Sequence, residues 1–126
     1  MSEKHILVVD DSTSIRRMIA ACLRECGFVV TEATDGSAAL EVAHKEEASH
    51  HDLVITDQVM PGATGLELVA LIRERWPDLP VILATGYAEL PAEIGATLHQ
   101  ITKPFMQHDL VKALAKVMPA SRALAD

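Results

Sequence analysis

The chain of 126 residues lacks any apolar run near the ~20 residues that a membrane-spanning helix needs. Its first apolar stretch is only Ile6-Leu7-Val8-Val9 before two aspartates, which does not read as a signal peptide. The expected location is the cytoplasm. A basic excess is missing too: 11 Lys and Arg stand against 18 Asp and Glu, a net charge of −7. Nucleic-acid backbones are held mainly by surplus Lys and Arg, so nucleic acid is not an expected partner. A protein or a divalent cation remains compatible. Cysteine is scarce, and Cys22 and Cys26 stand four residues apart in a helical pattern. Two small core thiols are the expected reading, and a reactive or metal-binding pair is the alternative. No disulfide is expected inside the cell. Low-complexity segments and linkers are absent as well. The length suits one domain over 1–126, with a core at about 4–118 and a tail over 119–126.

What is present is two alternating periodicities. Ile6-Leu7-Val8-Val9, Leu53-Val54-Ile55 and Val81-Ile82-Leu83 are short continuous apolar runs, which suit parallel strands covered on both faces. Val29-Val30-Thr31 is a weaker version, and Leu98-His99-Gln100-Ile101-Thr102 weaker still. Helical spacing fills the intervals. Ile15, Met18, Ile19, Cys22, Leu23 and Cys26 form one stripe, with Gly27 as its stop. Leu40 and Ala43 line a second helix opened near Ser37. Leu68, Val69, Ile72 and Trp76 line a third, ended by Pro77, with Trp76 as a helix-end packing residue. Leu110, Val111, Leu114, Val117 and Met118 line the last. Pro91 and Gly95 leave the helix expected over 88–96 short and poorly made. The order is βα repeated five times, an α/β open parallel sheet with helices on both faces.

In such sheets ligands sit beyond the carboxyl ends of the strands. Those ends carry Asp10-Asp11, then Asp57, then Thr85, then Lys103-Pro104. Each has a bland reading. Asp11 and Ser12 suit a helix cap, Asp57 a loop carboxylate, Thr85-Gly86 a turn, and Lys103-Pro104 a connection with Pro104 starting the last helix. Their succession at four strand ends favours a common site. Three converging carboxylates repel one another unless a cation intervenes, and oxygen-only ligands suit Mg²⁺. A carboxylate nucleophile, a metal, the Lys103 ammonium and the Thr85 hydroxyl form a set suited to phosphoryl transfer. The six histidines are scattered. His50-His51 lies in a polar connection where a metal site is not expected, and His99 and His108 read as surface residues.

At this point the sequence resembles the receiver (CheY-like) family of two-component signalling, from Ile6 to about Val117. The carrying residues are Val8-Val9-Asp10-Asp11, Asp57-Gln58-Val59-Met60-Pro61-Gly62 with Gly65, Ala84-Thr85-Gly86, and Thr102-Lys103-Pro104-Phe105. The resemblance implies a flavodoxin-like (βα)5 doubly wound parallel sheet with strand order 2-1-3-4-5. It implies Asp57 as phosphoacceptor from a phosphohistidine on a histidine kinase or histidine phosphotransfer protein. Asp11, Asp57 and the Val59 backbone carbonyl would bind Mg²⁺ directly, with Asp10 acting mostly through a bound water. Lys103 would contact the phosphoryl group, Thr85 would swing toward it, and Pro104 would follow the lysine through a cis peptide bond. The output would be altered contacts with a downstream protein; the domain catalyses only its own phosphorylation and dephosphorylation.

Two departures stand out. The aromatic residue that most receivers carry three positions before the lysine is Gln100 here. Eighteen positions separate Thr85 from Lys103, shorter than usual by roughly a helical turn. Both features resemble a subset of stand-alone and hybrid-kinase receivers with an Ala-Thr-Gly motif. Order and disorder of 88–96 is the expected replacement for the missing threonine–aromatic switch. Met1 and the short tail favour a stand-alone receiver over one excised from a hybrid kinase. The competing classes are a Mg²⁺-dependent phosphohydrolase, which lacks its second carboxylate because position 59 is Val59, and a degenerate receiver.

Overall fold

In the computed structural model, the described residues are 4–45, 51–60, 62, 64–77, 79–85, 99–103 and 105–117. The helix and switch expected over 88–96, the peptide bond before Pro104, His50, Met118 and the tail over 119–126 lie outside them.

Five parallel strands form one sheet: β1 (His5–Val9), β2 (Val29–Ala33), β3 (Leu53–Asp57), β4 (Val81–Thr85) and β5 (His99–Thr102). Their order is β2-β1-β3-β4-β5, as the resemblance implies. β3 and β4 are buried along their whole length, which is why their sequences are continuous apolar runs. β2 and β5 sit at the edges and alternate or open to solvent, so their patterns are weaker.

Successive side chains on a strand point to opposite faces, and each face has its own core. Ile6, Val8, Leu53, Ile55, Ile82 and Ala84 pack on one side with Ile19, Leu23, Leu110 and Leu114. These helical residues belong to α1 (Thr13–Glu25) and α4 (Gln107–Val117). Leu7, Val9, Val54 and Val81 pack on the other with Ala39, Leu68, Val69 and Ile72, from α2 (Gly36–Lys45) and α3 (Gly65–Arg75).

Helix ends follow local chemistry. Ser12 caps α1, its Oγ accepting the Ile15 amide at 3.4 Å. Gly27 at φ 96° closes the same helix: its amide donates to the Arg24 carbonyl at 3.0 Å, and the Phe28 amide to the Leu23 carbonyl at 3.1 Å. This is the left-handed stop expected of glycine, sealed by the Phe28 and Leu23 side chains in one core. Asp35 caps α2 through the Ala38 amide at 2.8 Å, and Thr64 and Glu67 form a reciprocal capping box on α3. Trp76 sits at the end of α3, half-buried against the second core, with the Arg75 guanidinium 5.4 Å from its ring centre.

Two expectations need correction, and the reading of Cys22 and Cys26 as core thiols stands. Met18 was placed on the apolar stripe of α1, yet it is 44% exposed; the buried stripe is narrower, through Ile19, Leu23 and their neighbours. Cys26 is the residue that ends α1, half-buried, while Cys22 is buried within it; both contact the first core. The last helix begins at Gln107, later than the expected start, and just ahead of it the Met106 carbonyl accepts the Asp109 amide at 3.0 Å while the Met106 amide donates to the Asp109 carboxylate at 2.9 Å.

Candidate functional site

The sheet register itself assembles the site. Val9 pairs with Thr56, Asp57 with Ala84, and Thr85 with Thr102. Asp10, one step beyond Val9, therefore lies level with Asp57, and Lys103, one step beyond Thr102, follows at the same rim. Asp57 and Thr85 are the last residues of their strands.

Ligand atoms of Asp10, Asp11 and Asp57 all lie within 4.8 Å of one another. Asp10 and Asp57 are buried and Asp11 is exposed. Lys103 Nζ donates to Asp57 Oδ1 at 2.7 Å, with a quarter of its side chain exposed. Thr85 is buried, and its carbonyl accepts the Lys103 amide at 2.7 Å. Two buried like charges at such a spacing repel by roughly 3 kcal/mol at an effective dielectric of ~20. One ammonium cannot neutralise three carboxylates.

Asp10 carries the consequence. Burial pushes its carboxyl above the usual carboxylate range, the Ser12 amide pulls it down, Asp57 and Asp11 push it up, and Lys103 pulls it down. Its Oδ1 accepts the Ser12 amide at 2.8 Å. Its Oδ2 is buried with no hydrogen-bond partner. An orphaned carboxylate oxygen inside an all-oxygen, acidic cluster is what a hard divalent cation satisfies, so the donor set fits Mg²⁺.

Of the residues expected at the site, Asp10, Asp11, Asp57, Thr85 and Lys103 come together. Val59 follows two residues after Asp57 and its side chain is 60% exposed, leaving main-chain chemistry as what it can offer. Gln100 is an exposed residue on β5, consistent with its lack of an inward-turning ring. Capping of α1 falls to Ser12, which leaves the Asp11 carboxylate to the cluster.

Other residues shape the site without having been singled out as doing so. Gln58 is buried; its amide donates to the Ala84 carbonyl at 3.0 Å, its carbonyl accepts the Gly65 amide at 2.9 Å, and its Oε1 accepts the Leu66 amide at 2.9 Å. It ties the end of β3 to β4 and to α3. Arg16, one turn into α1, is also buried; its Nη1 donates to the Asp10 carbonyl at 3.0 Å and its Nε to Glu32 Oε1 on β2 at 3.1 Å. Sequence offered a faint signal for Gln58, its place beside Asp57. It offered none for the Arg16–Glu32 pairing, which joins residues 16 positions apart.

The model of the response regulator receiver domain matches residues 6–115. The chemotaxis protein CheY of Pseudomonas aeruginosa is 36% identical over 119 residues, covering 89% of this chain and 94% of that protein. Sporulation initiation phosphotransferase F of Bacillus subtilis is 33% identical over 124 residues, covering 94% and 96%. Among solved structures, a response regulator receiver domain protein from Clostridium thermocellum superposes with a TM-score of 0.83 at 29% identity, over 96% of this chain and 98% of that one. With the family match over residues 6–115 and relatives covered almost end to end, the chain belongs to the response regulator receiver domain family, and its fold is CheY-like.

Proposed function

We propose that this domain accepts a phosphoryl group on Asp57 from a phosphohistidine of a histidine kinase or histidine phosphotransfer protein. It then signals through altered contacts with a downstream protein. The observation that carries this reading is the orphaned Asp10 Oδ2 in a cluster where Lys103 already grips Asp57. A relative named as a phosphotransferase supports the transfer chemistry.

Asp11, Asp57 and the Val59 carbonyl would hold Mg²⁺, with Asp10 accepting from a water on the ion. When bound, the ion supplies positive charge against the oxygens of the transferring group. The chain's own residues do the rest. An Asp57 carboxylate oxygen forms the new bond to phosphorus as the phosphorus–nitrogen bond breaks, and the electron pair stays on the donor imidazole. The Lys103 ammonium, held 2.7 Å from Asp57 Oδ1, neutralises charge at the same centre. The Thr85 hydroxyl, at the neighbouring strand end, donates to the phosphoryl group and moves with it. The domain turns over no external substrate, works in the cytoplasm and needs no nucleic acid. Among the described residues no helix is long and apolar enough to cross a membrane.

Incubation of the chain with Mg²⁺ and a small phosphodonor, read by intact mass, tests this. Wild type gains one phosphoryl group stoichiometrically and Asp57→Asn gains none. Modification of both proteins, or of neither, contradicts the assignment. Steady multiple-turnover phosphate release from diverse phosphoesters would mark a phosphohydrolase instead.

A further inference from the structure

Asp10 is held through its main chain as well as its carboxylate. Its amide donates to the Ala33 carbonyl on β2 at 3.1 Å, and Oδ1 accepts the Ser12 amide at 2.8 Å. The remaining tie is the one from the Arg16 guanidinium to the Asp10 carbonyl at 3.0 Å. Helical side chains lean toward the N-terminus of their helix, so a residue one turn inside α1 reaches back over the β1–α1 turn. The guanidinium is a rigid planar fork, and it bonds two groups at once: the Asp10 carbonyl and Glu32 Oε1. Glu32 divides its oxygens, giving Oε1 to Arg16 at 3.1 Å and Oε2 to Arg24 at 3.4 Å. Arg16 is buried, whereas half of the Arg24 side chain is exposed.

A buried guanidinium is costly unless it is paired and hydrogen-bonded, and Arg16 meets that demand with Glu32 and with the main chain of a residue of the acidic cluster. Its contact with the cluster is through the Asp10 main chain. The geometry points to Arg16, braced by Glu32, as a positioning residue: it sets the β1–α1 turn so that the Asp10 and Asp11 carboxylates stay gathered on Asp57. This role presupposes the cation site proposed above and adds the device that preorganises it. Partners behind metal ligands commonly govern metal affinity in this way, by 10- to 100-fold when removed (an approximate range).

The sign of the effect separates positioning from simple charge. Deleting a positive charge near a cation site strengthens cation binding if Arg16 acts only through its field. Deleting it weakens binding if Arg16 holds the turn.

The test is Mn²⁺ binding to the full metal-free chain, followed by the paramagnetic signal of the free ion; Mn²⁺ shares the oxygen preference of Mg²⁺. Arg16→Met is expected to raise the dissociation constant about 10- to 100-fold. Arg24→Met, which loses the other half of the Glu32 pairing, is expected to stay within about twofold because it leaves the Asp10 tie intact. At saturating Mn²⁺, phosphoryl uptake by Arg16→Met returns toward the wild-type rate, since Asp57 and Lys103 are untouched. Unchanged or tighter binding by a folded Arg16→Met overturns the role, as does equal weakening by Arg24→Met. Should Arg16→Met fail to fold, Arg16→Lys decides by the same measure: a single ammonium retains the charge but not the two-way fork, and wild-type affinity in it overturns the role. Failure of the wild-type chain to bind Mn²⁺ removes the cation site itself, and this role with it. Intact binding by wild type and all variants removes only the positioning.

Discussion

At Gly65 two physical effects oppose each other, and their sizes decide the outcome of a substitution. Gly65 is the first residue of α3, and alanine favours a helix over glycine by about 1 kcal/mol in an interior position. Propensity alone therefore predicts that Gly65→Ala stabilises the protein. The space around it predicts the reverse. A Cβ there would stand 2.5 Å from the Asp57 carbonyl oxygen, 2.6 Å from Leu83 Cδ1 and 3.0 Å from the Gln58 Cα. Non-bonded carbon contacts settle near ~3.5–4.0 Å, so about 1 Å must be found, and two of the three obstacles are main chain. Overpacking costs about 1–3 kcal/mol, and because main chain cannot swing aside this case falls at about 2–3 kcal/mol, which outweighs the propensity gain. The net loss of about 1–2 kcal/mol corresponds to a melting temperature lower by roughly 3–10 °C. Because the displaced group is the Asp57 main chain, phosphoryl uptake should slow by on the order of tenfold or more.

Gly62 supplies the contrast. It has φ +86° and nothing within 4 Å of its would-be Cβ, so its obstacle is backbone conformation and not packing. Asparagine, which tolerates the left-handed region, should cost less than alanine at position 62. At position 65 asparagine should cost more than alanine, because the larger side chain meets the same wall. Thermal and urea unfolding of the four variants, with intact-mass rates of phosphorylation, read both effects. A Gly65→Ala protein as stable as wild type, or more stable, would refute the close-approach reasoning.

Further outcomes follow from burial. The Asp10 carboxyl is raised above its ordinary value by desolvation first and by Asp57 and Asp11 next. Its stabilising share is thus present below the unfolded value of 3.8 and is lost as pH rises through the raised folded value. In metal-free protein at pH near 7, Asp10→Asn should melt higher than wild type, with the gap closing on acidification and narrowing when Mg²⁺ is added. A lower melting point for Asp10→Asn in the metal-free state contradicts this. The Cys22 thiol is pushed up to about 11 by burial, then by Cys26 and Glu25. Thiol reagents at mildly alkaline pH should leave Cys22 unlabelled until the protein is denatured; rapid native modification of Cys22, located by peptide mapping, counts against its burial.

Sequence by itself determined the alternation of strands and helices. A strand buried on both faces must be apolar throughout, and a helix covering it must be apolar at every third or fourth place. It also determined the candidate site residues, because in an open parallel sheet the chemistry falls just beyond each apolar run. Asp10, Asp57, Thr85 and Lys103 were legible for that reason. Tertiary structure alone decided what depends on long-range juxtaposition. Arg16 and Glu32 meet only because α1 packs on β2, which buries the guanidinium, and the same packing leaves Met18 outside the buried stripe. The necessity of glycine at position 65 comes from Asp57 and Leu83, eight residues before it and eighteen after. Local pattern records which face of an element is apolar. It carries no record of what that face, or a buried charge, will meet.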